Sequence, residues 1–216
     1  MSAQSIERVY DRLAPVYGLW AELVEGAARR RARELAAARP GEAVLEVAVG
    51  TGKFFSELRH AQPKARRVGV DLSPGMLRRA RRRMHAQGER EAALCQADAR
   101  WLPFPDDAFD VLVNCYMLDL LPEEKVATVL AEFRRVLRPS GRLVVVVMGQ
   151  QGQSFQALWM WLYKHAPTVV GGCRPVPLSL WLADGWKVEV HEPIVQRGFR
   201  SEVFLARPAL RQGGAA

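Results

Sequence analysis

The chain has three cysteines in 216 residues, Cys95, Cys115 and Cys173. An odd, scattered set gives neither a disulfide framework nor a metal-ligand spacing, so no metal is expected. No run approaches the roughly 18 apolar residues of a membrane-spanning helix, and residues 1–13 lack the apolar core of a secretory signal. A cytoplasmic protein is therefore expected. Acidic residues are the scarcer charge, 23 Asp and Glu against 31 Lys and Arg, for a formal charge of +8. The excess includes Arg29-Arg30-Arg31-Ala32-Arg33 and Arg78-Arg79-Ala80-Arg81-Arg82-Arg83. Each run suits a solvated helix face, and peripheral contact with an anionic membrane is a second use of such a surface. Neither run contains an aromatic residue, which argues against nucleic acid as a partner. The length suits one α/β domain, and 49% hydrophobic with 25% charged residues is ordinary globular composition.

What is present begins with Val44-Leu45-Glu46-Val47-Ala48-Val49-Gly50-Thr51-Gly52-Lys53-Phe54. It is the pattern of a buried strand with an acid near its end, a glycine turn and a helix start. Glycines admit positive φ and close ligand approach, and the free N–H groups of the helix start face whatever binds there. Two cofactor classes that use such a turn are excluded by missing residues. A P-loop needs Ser or Thr after its Lys, and Phe54 stands there. A dinucleotide fingerprint needs a third glycine where this chain has Phe55.

The remaining pattern, Glu46-x-Ala48-x-Gly50-x-Gly52, resembles motif I of the class I S-adenosylmethionine-dependent methyltransferases, with Ala48 in place of the first glycine. Later segments carry the resemblance further. Arg67-Val68-Gly69-Val70-Asp71 is a short strand ending in an acid where the ribose hydroxyls of a cofactor would be held, and Ser73-Pro74 opens the next helix. Residues 92–99 are expected to form a third strand ending in Asp98. Residues 111–115 continue a fourth, with Asn114 and Tyr116 at its end. Glu132 to Leu143 is similar to the family's helix-then-turn segment, with Ser140 replacing a glycine, and Val144 to Val147 is a strand buried on both faces. Tyr10-Asp11-Arg12-Leu13-Ala14-Pro15-Val16-Tyr17 resembles the start of the ubiquinone and menaquinone biosynthesis methyltransferases. There the segment folds over the cofactor, which implies that Tyr10 and Tyr17 close the site; packing of a terminal helix explains them equally well.

The resemblance implies a Rossmann-like α/β fold, a seven-stranded mostly parallel sheet with one antiparallel strand and helices on both faces. It implies S-adenosyl-L-methionine as cofactor, held by Tyr10, Tyr17, Glu46, Ala48, Gly50, Thr51, Gly52, Asp71, Leu72, Met76, Asp98, Ala99, Asn114 and Tyr116. The Asp98-Ala99 pair would lie beside the adenine. One domain is expected: N-terminal helices over 1–39, a cofactor core over 40–149, an acceptor cap over 150–176, a closing helix and strands over 177–207, and a tail over 208–216. Within the cap, Trp159, Trp161 and Tyr163 would line the acceptor pocket. The competing use of these aromatics is a subunit or membrane contact. Candidate bases are Asp119, His165 and His191, each of which also has an ordinary structural explanation. The expected function is methyl transfer to a small-molecule or lipid-like acceptor, such as a quinone precursor or a phospholipid amine. The alternatives are a cofactor-binding regulatory or assembly protein, and an RNA methyltransferase. The last is disfavoured because Asn114-Cys115-Tyr116-Met117-Leu118 lacks the Asn-Pro-Pro-Tyr type of acceptor loop.

Overall fold

The computed structural model describes residues 24–61, 64–89, 92–150, 161 and 173–209. Its strands are β1 (Ala43–Val47), β2 (Arg66–Asp71), β3 (Leu94–Gln96), β4 (Phe109–Cys115), β5 (Leu137–Met148), β6 (Trp186–Gln196) and β7 (Phe199–Pro208). The helices are α1 (24–36), α2 (Lys53–Ala61), α3 (Pro74–Ala86), α4 (Glu123–Val136) and α5 (Leu178–Leu182). The strands form one sheet in the order β3-β2-β1-β4-β5-β7-β6. All neighbours from β3 to β5 pair in parallel, and β7 runs antiparallel to both β5 and β6. The expected seven-stranded sheet with one reversed strand is therefore present.

Burial on both faces explains why β5 is so apolar. Leu143, Val145 and Val147 face one core with Val126, Val129, Leu130 and Phe133 of α4 and Leu178 and Leu182 of α5. Val144 and Val146 face the other, with Phe54 and Leu58 of α2 and Ala28, Ala32 and Ala36 of α1. The four-residue alanine spacing puts small side chains on one stripe of α1, so the helix lies close on the sheet. Its C-terminal end is fixed by Arg142, whose guanidinium donates to the carbonyls of Ala36 (2.8 Å) and Ala37 (3.0 Å) and pairs with Glu42 at 2.7 Å. A third cluster seats Phe55 among Val49, Leu77, Ala80, Met84 and Leu94. Phe55 fits in place of a helix glycine because β2 supplies one instead: a Cβ at Gly69 would lie 3.1 Å from the Phe55 ring.

Three expected boundaries move. The third strand, expected over 92–99, is only Leu94–Gln96, because Asp98 accepts the N–H of Arg100 at 2.9 Å and turns the chain. The closing helix expected within 177–207 is only Leu178–Leu182. The closing strands expected in the same span pair antiparallel from Trp186 with Pro208 to Gln196 with Phe199, with a register shift between Val188 and Val190, so the hairpin runs just past 207. Ser140 is tolerated in place of glycine because it is exposed, while a Cβ at the adjacent Gly141 would meet the carbonyl of Arg138 at 2.9 Å. Tyr10, Tyr17, Trp159, Tyr163, His165, residues 1–23 of the expected N-terminal helices and nearly all of 151–172 lie outside the described residues. Trp161 is helical and exposed. No helix among the described residues is long and apolar enough to cross a membrane.

Candidate active site

Order in the sheet runs outward from β1 in both directions, so a crevice opens where the carboxyl ends of β1 and β4 part. The turn from β1 into α2 forms its floor. Ala48, Gly50 and Gly52 all have positive φ (63°, 54° and 75°). Val49 donates to the Val70 carbonyl at 3.0 Å and Gly52 to the Val49 carbonyl at 2.8 Å. The two glycines have different surroundings. At Gly52 a Cβ would stand 2.9 Å from the Ala80 Cβ and 3.0 Å from its Cα, so this glycine lets α2 start against α3. At Gly50 a Cβ would meet nothing within 4 Å. That open backbone is where a ligand can approach the main chain.

Ala48 bears left-handed strain that a glycine would avoid. Ala48→Gly relieves about 1–2 kcal/mol of αL strain against a gain of roughly 0.4–1 kcal/mol in unfolded-state entropy. A net stabilisation of about 0.5 kcal/mol is expected, raising the melting temperature by about 1–2 °C; a lower melting temperature would contradict it.

The acids at the strand ends differ in state. Asp71 accepts the N–H of Gly50 at 2.8 Å on one oxygen and that of Ser73 at 2.9 Å on the other. Each oxygen retains a lone pair for a further hydroxyl donor. Burial pushes its carboxyl up while these bonds oppose the shift. Ser73 caps α3 by accepting from the Met76 N–H at 3.2 Å. Met76 is buried, and Leu72 is half exposed beside it. Asp98 forms a two-pronged pair with Arg100, closest at 2.6 Å, and that guanidinium holds its carboxyl below the usual range. Ala99 packs at the edge of the core, and Trp101, bridged to Asp98, is 74% exposed.

Glu46 is 4% exposed, and its Oε2 has no hydrogen-bond partner among the described residues. Burial pushes its carboxyl well above the usual range, with Arg29 of α1 opposing the shift. Asn114 donates to the Val47 carbonyl at 2.9 Å and leaves its own buried Oδ1 unpartnered. Register places Glu46 beside Val113 and Asn114 beside Val47, so the two lie on opposite faces at the carboxyl ends of β1 and β4. Tyr116 follows with φ 55°, half-buried, its hydroxyl 2.7 Å from the Ser201 Oγ and turned toward β7.

Of the candidate bases, Asp119 is fully buried on a 3-10 turn (Leu118–Leu120). It accepts the Met148 N–H at 3.1 Å, and its second oxygen is unpartnered among the described residues. Burial pushes its carboxyl up to about 7. An acid raised in the folded state contributes stability that is present below its unfolded pKa, near 3.9, and lost as pH rises toward 7. Asp119→Asn should therefore be about 2 kcal/mol less stable than the parent near pH 4 and about 2 kcal/mol more stable at pH 8. Roughly half of the full linkage effect is offset by the unpartnered amide. Urea unfolding at both pH values checks this, and a pH-independent difference would refute it. His191 is partly exposed; its Nε2 lies 2.8 Å from Glu202, its ring stacks on Phe204 at 4.1 Å, and Arg200 holds the other Glu202 oxygen at 2.8 Å. Two groupings escaped sequence reasoning. The Glu202 set needs β6 and β7 paired, and the cleft between α1 and α2 needs both helices placed.

The floor fits a cofactor with a cationic amino acid end and ribose hydroxyls. Gly50 leaves the space open, Glu46 offers a buried acid with one oxygen unpartnered among the described residues, and Asp71 accepts from the turn itself. A methyltransferase-domain family model matches residues 44–141. The chain is 39% identical over 142 residues to a demethylmenaquinone methyltransferase of Thermus thermophilus, a match covering 64% of this chain and 63% of that protein. It is 34% identical over 175 residues to a ubiquinone/menaquinone biosynthesis C-methyltransferase of Syntrophotalea carbinolica, covering 78% and 72%. It is 37% identical over 147 residues to a phosphatidylethanolamine N-methyltransferase of Cereibacter sphaeroides, covering 68% and 69%. Its fold matches a chain of the complex between the Haloferax volcanii Trm112 methyltransferase activator and a putative methyltransferase, with TM-score 0.77 and 16% identity over 97% of this chain and 100% of that one. The chain belongs to the class I S-adenosylmethionine-dependent methyltransferases, and S-adenosylmethionine is its cofactor.

Proposed function

We propose that the chain transfers a methyl group to a small lipophilic acceptor, a quinone precursor or a phospholipid amine. The observation that carries this is the buried Glu46 carboxyl, one oxygen of which has no partner among the described residues, near the end of the strand that leads into the open main chain of Gly50, in a family whose relatives are named for quinone and phospholipid methylation. S-adenosylmethionine, when bound, supplies an electrophilic methyl on a sulfonium together with its leaving group. Glu46 then offers negative charge to the cofactor's cationic end. The Gly50 main chain admits it, Asp71 holds ribose hydroxyls, and Asp98 with Ala99 borders the adenine. The remaining contribution is alignment of the acceptor. An acidic carbon or phenol must also lose a proton, whereas an amine need only be uncharged. Neither candidate base is placed for that step: Asp119 is sealed against Met148, and His191, held by Glu202, sits on the edge strand β6, away from the crevice between β1 and β4. The basic surface supports peripheral contact with an anionic bilayer.

Calorimetry with S-adenosylhomocysteine, followed by turnover assays on phosphatidylethanolamine vesicles and on a demethylated menaquinol, tests the reading. Micromolar binding and turnover of one acceptor are expected. Binding with no turnover on either would refute the acceptor class, and no binding at millimolar cofactor would refute the site.

A further inference from the structure

We propose that the cleft between α1 and the first turn of α2 is a phosphate-binding subsite that holds the head group of an amphiphilic acceptor. The acceptor half of this rests on the methyl-transfer reading above; the anion half rests on the cleft alone. Gly26, Arg29, Arg30, Arg33, Lys53 and Glu57 line a hollow of about 120 Å³. That is several times the ~10–15 Å³ that one water requires.

Charge in the hollow is unbalanced. Four cations face one carboxylate, a local excess of three. Glu57 serves two of them, Arg33 at 3.2 Å and Lys53 at 3.9 Å. Arg29 is turned to Glu25, one helical turn back. Counting that pair as neutral still leaves an excess of two. Arg30 is exposed and makes no ion pair among the described residues. The first turn of α2 contains no acid, so its N-terminal partial charge adds to the same field.

Geometry favours an anion with several oxygens. Positions 26, 30 and 33 share one stripe of α1, beside the alanine stripe that lies on the sheet. Arg142 fixes the far end of that helix, so the guanidinium groups are carried on a held element. Guanidinium forks match phosphate oxygens two at a time, and the Lys53 ammonium supplies a point charge from the opposite wall. Lys53 directly follows Gly52, so an anion seated here abuts the cofactor turn. A lipid anchored by its phosphate would place its remaining head group toward the carboxyl ends of β1 and β4. A lipid phosphodiester and free phosphate share this chemistry, and the test separates them.

The full chain is compared with an Arg30→Ala, Arg33→Ala double variant. Three readouts are used: inorganic phosphate titration, S-adenosylhomocysteine calorimetry, and turnover on phosphatidylethanolamine in phosphatidylcholine vesicles. Phosphate is expected to bind the parent at millimolar concentration and the double variant about tenfold more weakly. The affinity for S-adenosylhomocysteine should stay within twofold, and the vesicle assay should show about a tenfold rise in KM rather than a fall in kcat. Unchanged phosphate binding would overturn the subsite. A matching loss of S-adenosylhomocysteine affinity would overturn it too, assigning the cleft to the cofactor's carboxylate. Weakened phosphate binding with an unaltered lipid KM would overturn the head-group assignment in favour of free phosphate. The phosphate titration is read even if no acceptor turns over, so failure of the methyl-transfer reading is seen separately. Arg33 also braces Glu57, so Arg30→Glu, at an exposed residue, repeats the comparison should the double variant unfold; loss of phosphate binding is again the expected result.

Discussion

Gly52→Ala is expected to destabilise the chain by about 3 kcal/mol, while the same change at Gly50 costs about 1 kcal/mol and removes most cofactor affinity. Both glycines have positive φ, so both variants carry the αL strain of an L-residue. Only at Gly52 does the new Cβ meet packed atoms, 2.9 Å and 3.0 Å from the Cβ and Cα of Ala80. The second of these is main chain, so α2 and α3 must separate, and the Phe55–Leu77–Ala80–Met84 cluster loosens with them. Against a typical net stability of 5–15 kcal/mol, about 3 kcal/mol is a large share. At Gly50 the Cβ enters empty space, which is the space a cofactor needs, so affinity should fall on the order of 100-fold with folding largely retained. Urea unfolding and S-adenosylhomocysteine calorimetry on the two variants separate the roles. Equal destabilisation, or an undiminished affinity in Gly50→Ala, would show that the open side of the turn is not the seat.

The second large effect is at Glu46. Its folded-state carboxyl is raised, so the unfolded chain releases that proton more readily. Stability from this group is therefore full below the unfolded pKa, near 4.3, and declines as pH rises above it. A cationic ligand beside the carboxylate reverses that situation by favouring the charged form. Glu46→Gln should thus lower S-adenosylmethionine affinity about 100-fold at pH 8, the cost of deleting one partner of a buried charge pair. It should flatten the decline in stability of the ligand-free chain at the same time. As pH falls the parent is increasingly protonated at this position, so the two affinities should approach each other. Cofactor binding by the parent should release protons, seen as a dependence of the calorimetric heat on the buffer's ionisation enthalpy, and the variant should lose it. An affinity gap equal at pH 5 and pH 8 would rule out the charge of Glu46 as the cause.

These two experiments bear on residues whose chemistry was legible in different degrees. Glu46, Gly50, Gly52 and Asp71 could be marked from the chain alone, because a local pattern of strand, acid, glycine turn and helix start is set by residues adjacent in sequence. The same holds for the sheet: β-branched runs buried on both faces, spaced by helical segments, leave few arrangements besides a parallel sheet. The extent of β3 was not legible, since an edge strand is ended by the Asp98 turn rather than by its own propensity. Nor was the length of the β6–β7 hairpin, which comes from cross-strand pairing.

Sequence by itself determined the cofactor class and the order of the acids along the carboxyl edge, since both follow from motifs a few residues long. Tertiary structure alone decided which glycine is needed for packing and which leaves room for a ligand, because that depends on how near Ala80 lies in space. It likewise decided that Asp119 is sealed beneath Met148, that His191 meets Glu202, and that an arginine run becomes one wall of a cleft. Burial and electrostatic pairing depend on distances between residues far apart in the chain, and those distances exist only once the helices have packed onto the sheet.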